Sequence, residues 1–322
     1  MILITGVAGF IGFHVARELL ARGESVLGLD NLNKYYDPTL KKARLTQLQN
    51  HHNFEFIRMD LTKLTEVKHL FSCRRFTKII HLAAQAGVRY SFTHPHAYTA
   101  ANVEGFLNML EGARLQPPEH FIYASSSSVY GANTKLPFSE TDQVNHPVSL
   151  YAATKRANEL MAEVYANQFN LRLTGLRFFT VYGPWGRPDM APIKFTKSIL
   201  NGTSIDVYNN GIMSRDFTYI DDIVDGVLRI IYGARPLTGY VAHRIYNLGN
   251  RKPEKLMDFI AVLASILDRE PLIRLLPMQP GEVFATYADI SAMQTDYGWV
   301  PTTEIKAGLK KMVEWYQTQP VK

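Results

Sequence analysis

Apolar and polar residues alternate along the first half of this chain in a pattern of short strands and longer helices. The apolar runs MILITG and SVLGLD flank the segment FIGFHVARELLARG, in which apolar residues recur at helical spacing. The series continues with FEFIRMD, KIIHLAA, HFIYASS and LRLTGLRF, and helix-length stretches separate these runs. Short strands that alternate with helices are typical of a parallel sheet covered by helices on both faces. The pattern therefore predicts an α/β fold with a doubly wound parallel sheet.

The regular alternation weakens in the second half of the chain. From about Gly183 proline and glycine become frequent, as in GPWGRPDMAP. We predict one domain over residues 1–180 and a smaller α/β domain over residues 181–322. The segment RDFTYIDDIVDGVLRIIY predicts a strand and a helix that return to the first domain near residues 216–235. The last stretch, EIKAGLKKMVEWYQTQ, has the apolar spacing of a helix.

The composition changes this picture mainly by exclusion. Hydrophobic residues make up 46% of the chain and charged residues 20%, and the net charge is +6. Lysines and arginines are scattered, with no run longer than two. A basic cleft for a phosphorylated or carboxylated small molecule is therefore favoured over a nucleic-acid or membrane surface. No apolar stretch reaches the roughly 18 residues that a membrane-spanning helix needs.

Cysteine and histidine positions give further expectations. The single cysteine, Cys73, excludes an intrachain disulfide, which is typical of a reducing compartment. The sequence opens on the predicted strand MILITG without a basic leader, so we expect no signal peptide and a cytoplasmic location. His94 and His96 have no Cys or carboxylate neighbours at ligand spacing, so we expect no metal site.

Three glycines stand between the first predicted strand and the first predicted helix. Gly6, Gly9 and Gly12 permit a tight turn and the close approach of a pyrophosphate to the amides of a helix N-terminus. Such a spacing alone is weak support, but the second predicted strand ends in Asp30, 18 residues after Gly12. A carboxylate there can accept hydrogen bonds from both adenosine ribose hydroxyls and would repel a 2′-phosphate. The combination predicts NAD rather than NADP; a carboxylate that merely ends a strand is the alternative.

Two more strand ends supply candidates for the same groove. The segment RMDLT places Asp60 and Leu61 where the adenine would lie. The segment HLAAQAGVRYS places the small side chains of Ala83 and Ala84 where the cofactor backbone must pass closely. Because an alanine pair is also common packing filler, it corroborates the groove and does not establish it.

A tyrosine and a lysine form the main catalytic candidate. Tyr151 and Lys155 in YAATK are four residues apart on a predicted helix and so share one face. An ammonium beside a phenol favours the phenolate, which would lower the pKa of Tyr151 and make it an acid or base near neutral pH. Such pairs are common on surface helices. The serine string SSSSVYG, at a strand end 25 residues upstream, favours a site, because ligands of such sheets bind at that edge.

These motifs together resemble a known family. TGVAGFIG, Asp30, SSSSVYG and YAATK, in this order, are similar to the extended short-chain dehydrogenase/reductase family of nucleotide-sugar epimerases and dehydratases. The resemblance runs through essentially the whole chain, since RFFTVYGPWGRPDM, RDFTYIDDIVDG, PGEVFATYAD and YGWVP match as well. Within the family, DNLNKYYD, AAQAGVRYS and VYGPWGRPDMA most resemble the UDP-glucuronate 4-epimerases.

The resemblance implies a Rossmann-type NAD-binding domain, a C-terminal UDP-sugar-binding domain and a homodimer. The cofactor residues that it implies, together with those above, are Gly6, Gly9, Phe10, Ile11, Gly12, Asp30, Asn31, Asp60, Leu61, Ala83, Ala84, Asn102, Tyr151, Lys155 and Phe178. It implies that Tyr151 removes the proton of the sugar 4-OH while hydride leaves C4. Ser126 would orient that hydroxyl, and Lys155 would bind the nicotinamide ribose and lower the pKa of Tyr151.

The residues after Ser126 bear on the substrate. In the sugar-nucleotide dehydratases that this chain resembles, these two positions hold Asp and Glu, and in the decarboxylases the second position holds Glu. This chain has Ser127 and Ser128 there. Hydroxyls can donate to a carboxylate without adding negative charge. Thr180 could add another donor, and Arg187 offers a bidentate partner for a uronic acid or a phosphate, with a solvent-facing loop arginine as the alternative. The expected substrate is therefore UDP-glucuronate.

The rest of the substrate is assigned by the family pattern. Arg215 matches a phosphate-binding arginine, Glu282 stands where the family more often has a ribose-binding Asp, and Arg89 is a further candidate. Three alternatives stay open: a 4-epimerase of a neutral or N-acetylated UDP-hexose, a UDP-glucuronate decarboxylase, and a binding protein that has lost catalysis.

Overall fold

The structure, a computed structural model, describes residues 1–233 and 242–319. Its strands are β1 (Ile2–Thr5), β2 (Val26–Asp30), β3 (Phe54–Arg58), β4 (Lys78–His81), β5 (His120–Ser126), β6 (Leu173–Phe178), β7 (Thr180–Tyr182), β8 (Ile205–Val207), β9 (Ser214–Tyr219), β10 (His243–Leu248), β11 (Pro253–Lys255) and β12 (Ile273–Leu275). Its α-helices are α1 (Phe10–Ala21), α2 (Pro38–Gln49), α3 (Leu64–Cys73), α4 (Tyr90–Thr93), α5 (Pro95–Tyr98), α6 (Gly105–Leu115), α7 (Leu150–Phe169), α8 (Ala191–Asn201), α9 (Ile220–Tyr232), α10 (Leu256–Leu267), α11 (Ser291–Tyr297) and α12 (Ile305–Thr318).

Seven strands form one sheet in the order β10-β6-β5-β4-β1-β2-β3. All of its pairings are parallel. The chain order runs outward from β1 in both directions, so the sheet is doubly wound, and its ligand crevice is expected where the order reverses, beyond the carboxyl ends of β1 and β4. The predicted α/β fold with a Rossmann-type parallel sheet is confirmed.

Alternating side chains of the strands divide the core into two layers. In β1, Ile2 and Ile4 belong to one apolar cluster and Leu3 to the other. The first cluster includes side chains of α1 and α9, and the second includes side chains of α3, α6 and α7. Because successive residues of a strand point to opposite faces, both faces of the sheet need helices, and strands such as β1 and β2 are buried along their whole length.

The remaining described strands form two small sheets beside the large one. β9 pairs in parallel with β7 and antiparallel with β11, and β8 pairs in parallel with β12. α10 packs against both α8 and α12 in this part of the chain. These elements are the smaller α/β unit of the predicted fold, while the boundary between residues 180 and 181 stays a prediction.

The predicted return of the chain to the first domain needs a correction. α9 does pack against α1, but β9 lies in the three-stranded sheet, and β10 is the strand that joins the large sheet. The reason lies in β7, which starts two residues after the end of β6 but does not belong to the large sheet. Because β9 pairs with β7, β9 lies in the three-stranded sheet as well. Residues 234 and 235 of the predicted segment lie outside the described residues, as do 234–241 and 320–322 of the predicted second domain.

Side-chain caps fix the starts of two helices that border the crevice. The Asp37 side chain accepts a hydrogen bond from the Thr39 amide at 2.8 Å, and Pro38 is the first residue of α2. The Ser149 hydroxyl accepts from the Ala152 amide at 3.1 Å and caps α7. Tyr151 is therefore held in the first turn of α7, at the end that faces the crevice.

Two properties expected from the composition concern membranes and metals. Within residues 1–233 and 242–319, no helix is long and apolar enough to cross a membrane. The same ranges contain no group of three or more His, Cys, Asp or Glu side chains arranged to hold a metal ion.

Candidate active site

A cavity of about 1410 Å³ opens at the carboxyl ends of the large-sheet strands and extends to the smaller α/β part. Its wall includes the predicted cofactor residues Gly6, Gly9, Phe10, Ile11, Gly12, Asp30, Asn31, Asp60, Leu61, Ala83, Ala84, Tyr151, Lys155 and Phe178. It also includes the predicted catalytic and substrate residues Arg89, Ser126, Ser127, Ser128, Thr180, Arg187, Arg215 and Glu282. Since pockets for single small ligands usually measure roughly 300–1,000 Å³, the cavity has room for a dinucleotide and a second ligand.

The glycine-rich turn after β1 is as tight as the sequence predicts. Gly6 has a φ of +72°, and the Gly9 amide donates to the Gly6 carbonyl at 2.9 Å. A Cβ atom added to Gly12 would lie 2.2 Å from the Gly6 carbonyl oxygen, which is backbone and cannot swing aside. The turn leaves a groove without side chains next to the start of α1, where a pyrophosphate fits.

The carboxylate of Asp30 is buried at the end of β2 and is held by its own loop. One oxygen, Oδ1, accepts from the Leu32 amide at 2.8 Å and lies 3.9 Å from Lys41 Nζ. Oδ2 makes no hydrogen bond to the part of the chain that the structure describes, so it is available to a ribose hydroxyl. Lys41, which the sequence reading missed, lines the cavity and donates to Asn33 Oδ1 at 2.8 Å. Burial lowers the pKa of Lys41, and the charge of Asp30 opposes this shift.

Asn102 is the one predicted site residue that does not line the cavity. Its Oδ1 accepts from the Gln85 amide at 2.7 Å, and its Nδ2 donates to the Gln85 carbonyl and to Thr154 Oγ1, both at 3.0 Å. Thr154 belongs to α7, and Gln85 follows β4. Asn102 therefore braces the segment after β4 against the helix that carries Tyr151, behind the cavity wall.

Ser126, Tyr151 and Lys155 meet at the cavity floor. Lys155 is buried and its Nζ donates to the Ala124 carbonyl at 2.9 Å, one residue before the serine string. Burial lowers the pKa of Lys155 to about 8. The pKa of Tyr151 is raised by burial, against a hydrogen bond with Ser126 and the positive charge of Arg187, which act to lower it.

The role of Lys155 in lowering the pKa of Tyr151 stays a prediction. In the structure the Lys155 ammonium donates to the Ala124 carbonyl. A cation that acts on Tyr151 is Arg187, from a loop 36 residues further along the chain. Helical spacing placed the two side chains on one face but could not give the direction of the ammonium.

The four serines have different surroundings. Ser125 donates to the buried carboxylate of Glu159 at 2.7 Å, and Arg177 binds the same carboxylate through two nitrogens. Ser126 Oγ accepts from the Ser128 amide at 3.2 Å and donates to the Ser128 hydroxyl at 3.2 Å. The hydroxyl of Ser127 makes no hydrogen bond within the described ranges, and the same is true of Thr180. Both therefore have free donors that face the cavity.

Arg187 is not the free cation that its sequence position suggests. Its Nε donates to Asp189 Oδ1 at 3.1 Å and its Nη2 to Asp189 Oδ2 at 2.5 Å, so Asp189 occupies its two-nitrogen edge. Tyr35 donates its hydroxyl to the same Oδ2 at 2.9 Å. The alternative of a solvent-facing arginine is also wrong, since the Arg187 side chain is 21% exposed. Tyr35 and Asp189 were missed; the short spacing of Arg187 and Asp189 was the available signal.

Three charged side chains, those of Arg89, Arg215 and Glu282, form a further group at the smaller α/β part, here called the Glu282 cluster. Glu282 Oε2 accepts from Arg215 Nη2, and Oε1 accepts from Arg89 Nη2, each at 2.9 Å. The Arg89 guanidinium also lies 4.4 Å from the ring centre of Tyr208. The structure thus brings three of the predicted substrate residues together: the carboxylate of Glu282 lies between the guanidinium groups of Arg89 and Arg215.

Comparisons with known proteins agree with this site. The model of the NAD dependent epimerase/dehydratase family matches residues 2–249. UDP-glucuronate 4-epimerase 4 of Arabidopsis thaliana is 47% identical over 327 residues, which cover 98% of this chain and 75% of that protein. A UDP-glucuronic acid 4-epimerase from Bacillus cereus, solved in complex with UDP-glucuronic acid and NAD, has a TM-score of 0.92 and 32% identity, with 98% of both chains covered.

A UDP-glucose 4-epimerase of Thermotoga maritima, solved with UDP-glucose, is also similar, with a TM-score of 0.87, 29% identity and 98% of both chains covered. The family match spans most of the chain and includes the glycine turn as well as the serine, tyrosine and lysine that meet in the cavity. The resemblance to the extended short-chain dehydrogenase/reductases is therefore confirmed, and the chain belongs to the NAD dependent epimerase/dehydratase family.

Proposed function

We propose that this protein is a UDP-glucuronate 4-epimerase that converts UDP-glucuronate to UDP-galacturonate through a transient 4-keto sugar. One observation carries the proposal: Ser126, Tyr151 and Lys155 share their cavity with the hydroxyls of Ser127 and Ser128, at the two positions where carboxylates would mark a dehydratase or, at the second position, a decarboxylase. The Arabidopsis thaliana and Bacillus cereus proteins, whose names state this activity, support it.

The groove along the large sheet fits NAD. A cradle that any Cβ on Gly12 would fill stands at the start of α1, and Asp30 offers a free carboxylate oxygen at the end of β2. We assign residues 1–180 to cofactor binding and residues 181–322 to UDP-sugar binding. Lys155 would hold the nicotinamide ribose and Phe178 would lie against the nicotinamide. NAD bound there would supply reversible hydride transfer at sugar C4.

The chain's own residues manage the proton. The phenolate of Tyr151 takes the proton of the sugar 4-OH while the C4 hydride departs, and later returns it to the 4-keto oxygen. Ser126, which acts on Tyr151 by hydrogen bonding, orients the sugar hydroxyl toward the phenol.

The hydroxyls hold the sugar carboxylate without a permanent ion pair. Ser127, Ser128 and Thr180 would donate to it and leave the cavity free of an opposing carboxylate at this point. A 4-keto uronate is a β-keto acid that loses CO2 readily. Fixing its carboxylate away from alignment with the ketone would suppress that loss, so Thr180→Val should raise UDP-pentose by-products.

The nucleotide part of the substrate would lie at the Glu282 cluster, which Arg89, Arg215 and Glu282 form. Arg215 and Arg89 would bind the diphosphate, and Glu282 would accept from the uridine ribose. Each arginine already has a partial partner in Glu282, so phosphate binding would rearrange this cluster instead of filling an empty one.

We also infer a homodimer in the cytoplasm. The neighbouring helices α6 and α7 expose apolar side chains, with Leu160 53% and Val164 56% exposed and Leu107 also exposed. Large apolar residues exposed on adjacent helices are typical of a protein–protein contact. A second copy that presents the same helices would cover them.

A neutral UDP-hexose is the second candidate substrate. The observation that favours it is the pairing of Arg187 with Asp189, which occupies the two-nitrogen edge of this arginine. The similar Thermotoga maritima protein is named as a UDP-glucose 4-epimerase.

A panel of sugar nucleotides separates the candidates. Purified protein is incubated with UDP-glucuronate, UDP-glucose and UDP-N-acetylglucosamine, with and without NAD, and the products are separated by chromatography. We expect UDP-galacturonate from the first and less than one-hundredth of that rate from the others. Turnover of UDP-glucose or its N-acetyl relative alone would contradict the proposal, and UDP-pentose as the main product would indicate a decarboxylase.

A further inference from the structure

Segments from three distant parts of the chain meet at Arg187. Tyr35 comes from the loop after β2, Asp189 from the loop before α8, and Gly87 from the segment after β4. Asp189 receives both Arg187 nitrogens of one edge and the Tyr35 hydroxyl. The Arg187 guanidinium also lies over the Tyr35 ring, 5.7 Å from its centre.

The loop that carries Tyr35 is held in place by its own side chains. The Asn33 amide donates to Asn31 Oδ1 at 3.0 Å, and the Tyr35 amide donates to Asn33 Oδ1 at 3.3 Å. The Tyr35 ring then packs against the Tyr90 ring at 4.8 Å. These side-chain turns begin directly after β2, so they fix the position of Tyr35 relative to the end of that strand.

Gly87 leaves the space in which this arrangement fits. It has a φ of +99°, and a Cβ atom there would lie 2.4 Å from Tyr35 Oη and 3.6 Å from Arg187 Nη2. Burial, followed by the charge of Asp189, raises the pKa of Tyr35 to about 12. Tyr35 therefore stays protonated across the physiological pH range, and its hydroxyl donates a hydrogen bond to Asp189.

We propose that Tyr35 and Asp189 form a clamp, the Tyr35–Asp189 clamp, that withholds the two-nitrogen edge of Arg187 from the substrate carboxylate and thereby determines how firmly an acidic sugar is held. The proposal rests on the proposed function, because it assumes that a uronate enters this cavity. Tyr35 and Asp189 are positioning residues in it, since both act through Arg187.

The chemistry of epimerisation gives the clamp its purpose. The 4-keto sugar must present its other face before hydride returns, so the ring has to turn while its carboxylate stays bound. An arginine that grips a carboxylate through two parallel hydrogen bonds fixes its orientation as well as its position. Single donors such as the Ser127 and Thr180 hydroxyls can be exchanged one at a time. With Asp189 in its edge, Arg187 keeps only Nη1 without a hydrogen bond to the described residues, and its charge attracts the uronate without locking it.

Replacing Asp189 by Asn tests the clamp. The amide has nearly the shape of the carboxylate but one acceptor oxygen fewer and no charge, so Arg187 is released. Dissociation constants of UDP-glucuronate and UDP-glucose are measured by calorimetry in the Tyr151→Phe background, which prevents turnover. We expect UDP-glucuronate to bind at least fivefold more tightly after Asp189→Asn, while UDP-glucose changes less than twofold. Tyr35→Phe should shift the ratio in the same direction by about twofold.

In the enzyme with Tyr151 intact, the same substitution should lower both KM for UDP-glucuronate and kcat, the latter about tenfold, because a tightly held ring turns slowly. Asp206→Asn is the matched control. It removes a carboxylate that also lines the cavity and that pairs with an arginine, Arg274, on the neighbouring strand of the two-stranded β8–β12 sheet. It should leave the ratio of the two dissociation constants unchanged.

An unchanged ratio, weaker binding of UDP-glucuronate, or an equal shift for both nucleotides after Asp189→Asn would overturn the clamp. If Asp189→Asn does not fold, Tyr35→Phe decides by the same ratio. A shifted ratio without turnover of UDP-glucuronate by the unaltered enzyme would retain the clamp and refute the proposed function. Turnover with an unshifted ratio would do the reverse, and binding of neither nucleotide would refute both.

Discussion

The two ends of the cavity are built from different materials. The cofactor end consists mainly of backbone and small side chains, namely the turn at Gly6 to Gly12 and the strand ends at Ala83 and Ala84. The sugar end consists of charged side chains that neutralise one another, such as Arg187 with Asp189 and Arg215 with Glu282. The first is fixed by the sheet, whereas the second depends on pairs of residues that are brought together only by folding.

This difference has a consequence for binding. At the cofactor end a ligand meets the start of α1 and Asp30 Oδ2, which makes no hydrogen bond to the described residues, so it enters a preformed groove. At the sugar end a charged ligand that binds Arg187 or Arg215 competes with an ion pair that already exists. Selectivity there is a difference between two sets of ion pairs and cannot be read from the sign of one side chain.

The largest effect should come from Tyr151, which lies where the two ends meet. Tyr151→Phe removes the only group proposed to carry the sugar proton, so kcat should fall about 10³-fold. Binding of NAD and of UDP-glucuronate, measured by calorimetry, should change less than threefold, because neither end loses a wall.

Tyr232→Phe is the control for this change, since its hydroxyl bonds to Glu24 on the outer surface, remote from the cavity. It should retain the full rate. A Tyr151→Phe enzyme with more than one-tenth of the original kcat would contradict the assignment of the base.

Gly12→Ala should break the cofactor end alone. The added Cβ would meet the Gly6 carbonyl oxygen at 2.2 Å, so the turn must open and NAD affinity should fall about 100-fold, or about 2.7 kcal/mol. Gly105→Ala is the control, because its Cβ would meet the nearest atom at 3.4 Å in a helix. Calorimetry with NAD-free protein measures the loss, and circular dichroism checks the fold. Equal losses of NAD and UDP-glucuronate affinity would show that the two ends are not independent.

The sequence allowed much of the cofactor end to be predicted for the same physical reason. Gly12 and Asp30 lie at the ends of one helix and one strand, and parallel strands must bring such ends to one edge. Local spacing is therefore sufficient there. Asn102 is the exception: a family match placed it at the cofactor, but its amide braces Gln85 and Thr154 behind the wall.

The sugar end could be predicted only as a set of residues. Arg187 was expected to offer both nitrogens of one edge to a ligand. In the structure Asp189 accepts from both of these nitrogens and also from Tyr35, a residue about 150 positions earlier that the sequence around Arg187 does not reveal. Likewise, the strand β9 was expected to return to the first domain, because its apolar pattern does not show that its partner is β7. Long-range pairing decided the place of β9, whereas Arg187 is occupied by Asp189, two residues away, and only the contact of Tyr35 with this pair is long-range.

Ser128→Glu should sharpen the difference between acidic and neutral donors at the sugar end. The new carboxylate would stand beside Ser126 and repel the substrate carboxylate from the hydroxyls, exposing the β-keto acid to loss of CO2. We expect the share of UDP-pentose among the products to rise about tenfold by chromatography. Ser128→Ala, which removes a donor without adding charge, should give a smaller rise. Unchanged product ratios for both variants would exclude these hydroxyls from holding the carboxylate.

The smallest effect should be a shift in the pH dependence, and it separates Arg187 from Lys155. The rate rises with pH as Tyr151 loses its proton, and burial, which raises the pKa of Tyr151, is opposed by Ser126 and by the charge of Arg187. Arg187→Gln removes a cation that stabilises the phenolate, so the pKa of Tyr151 should rise and the ascending limb of log kcat should move to higher pH. Lys155→Gln, assayed at saturating NAD, should move this limb less, because the Lys155 ammonium is directed to the Ala124 carbonyl. A larger shift for Lys155→Gln than for Arg187→Gln would support the helix-pair interpretation and show that the charge at the sugar end does not reach the phenol.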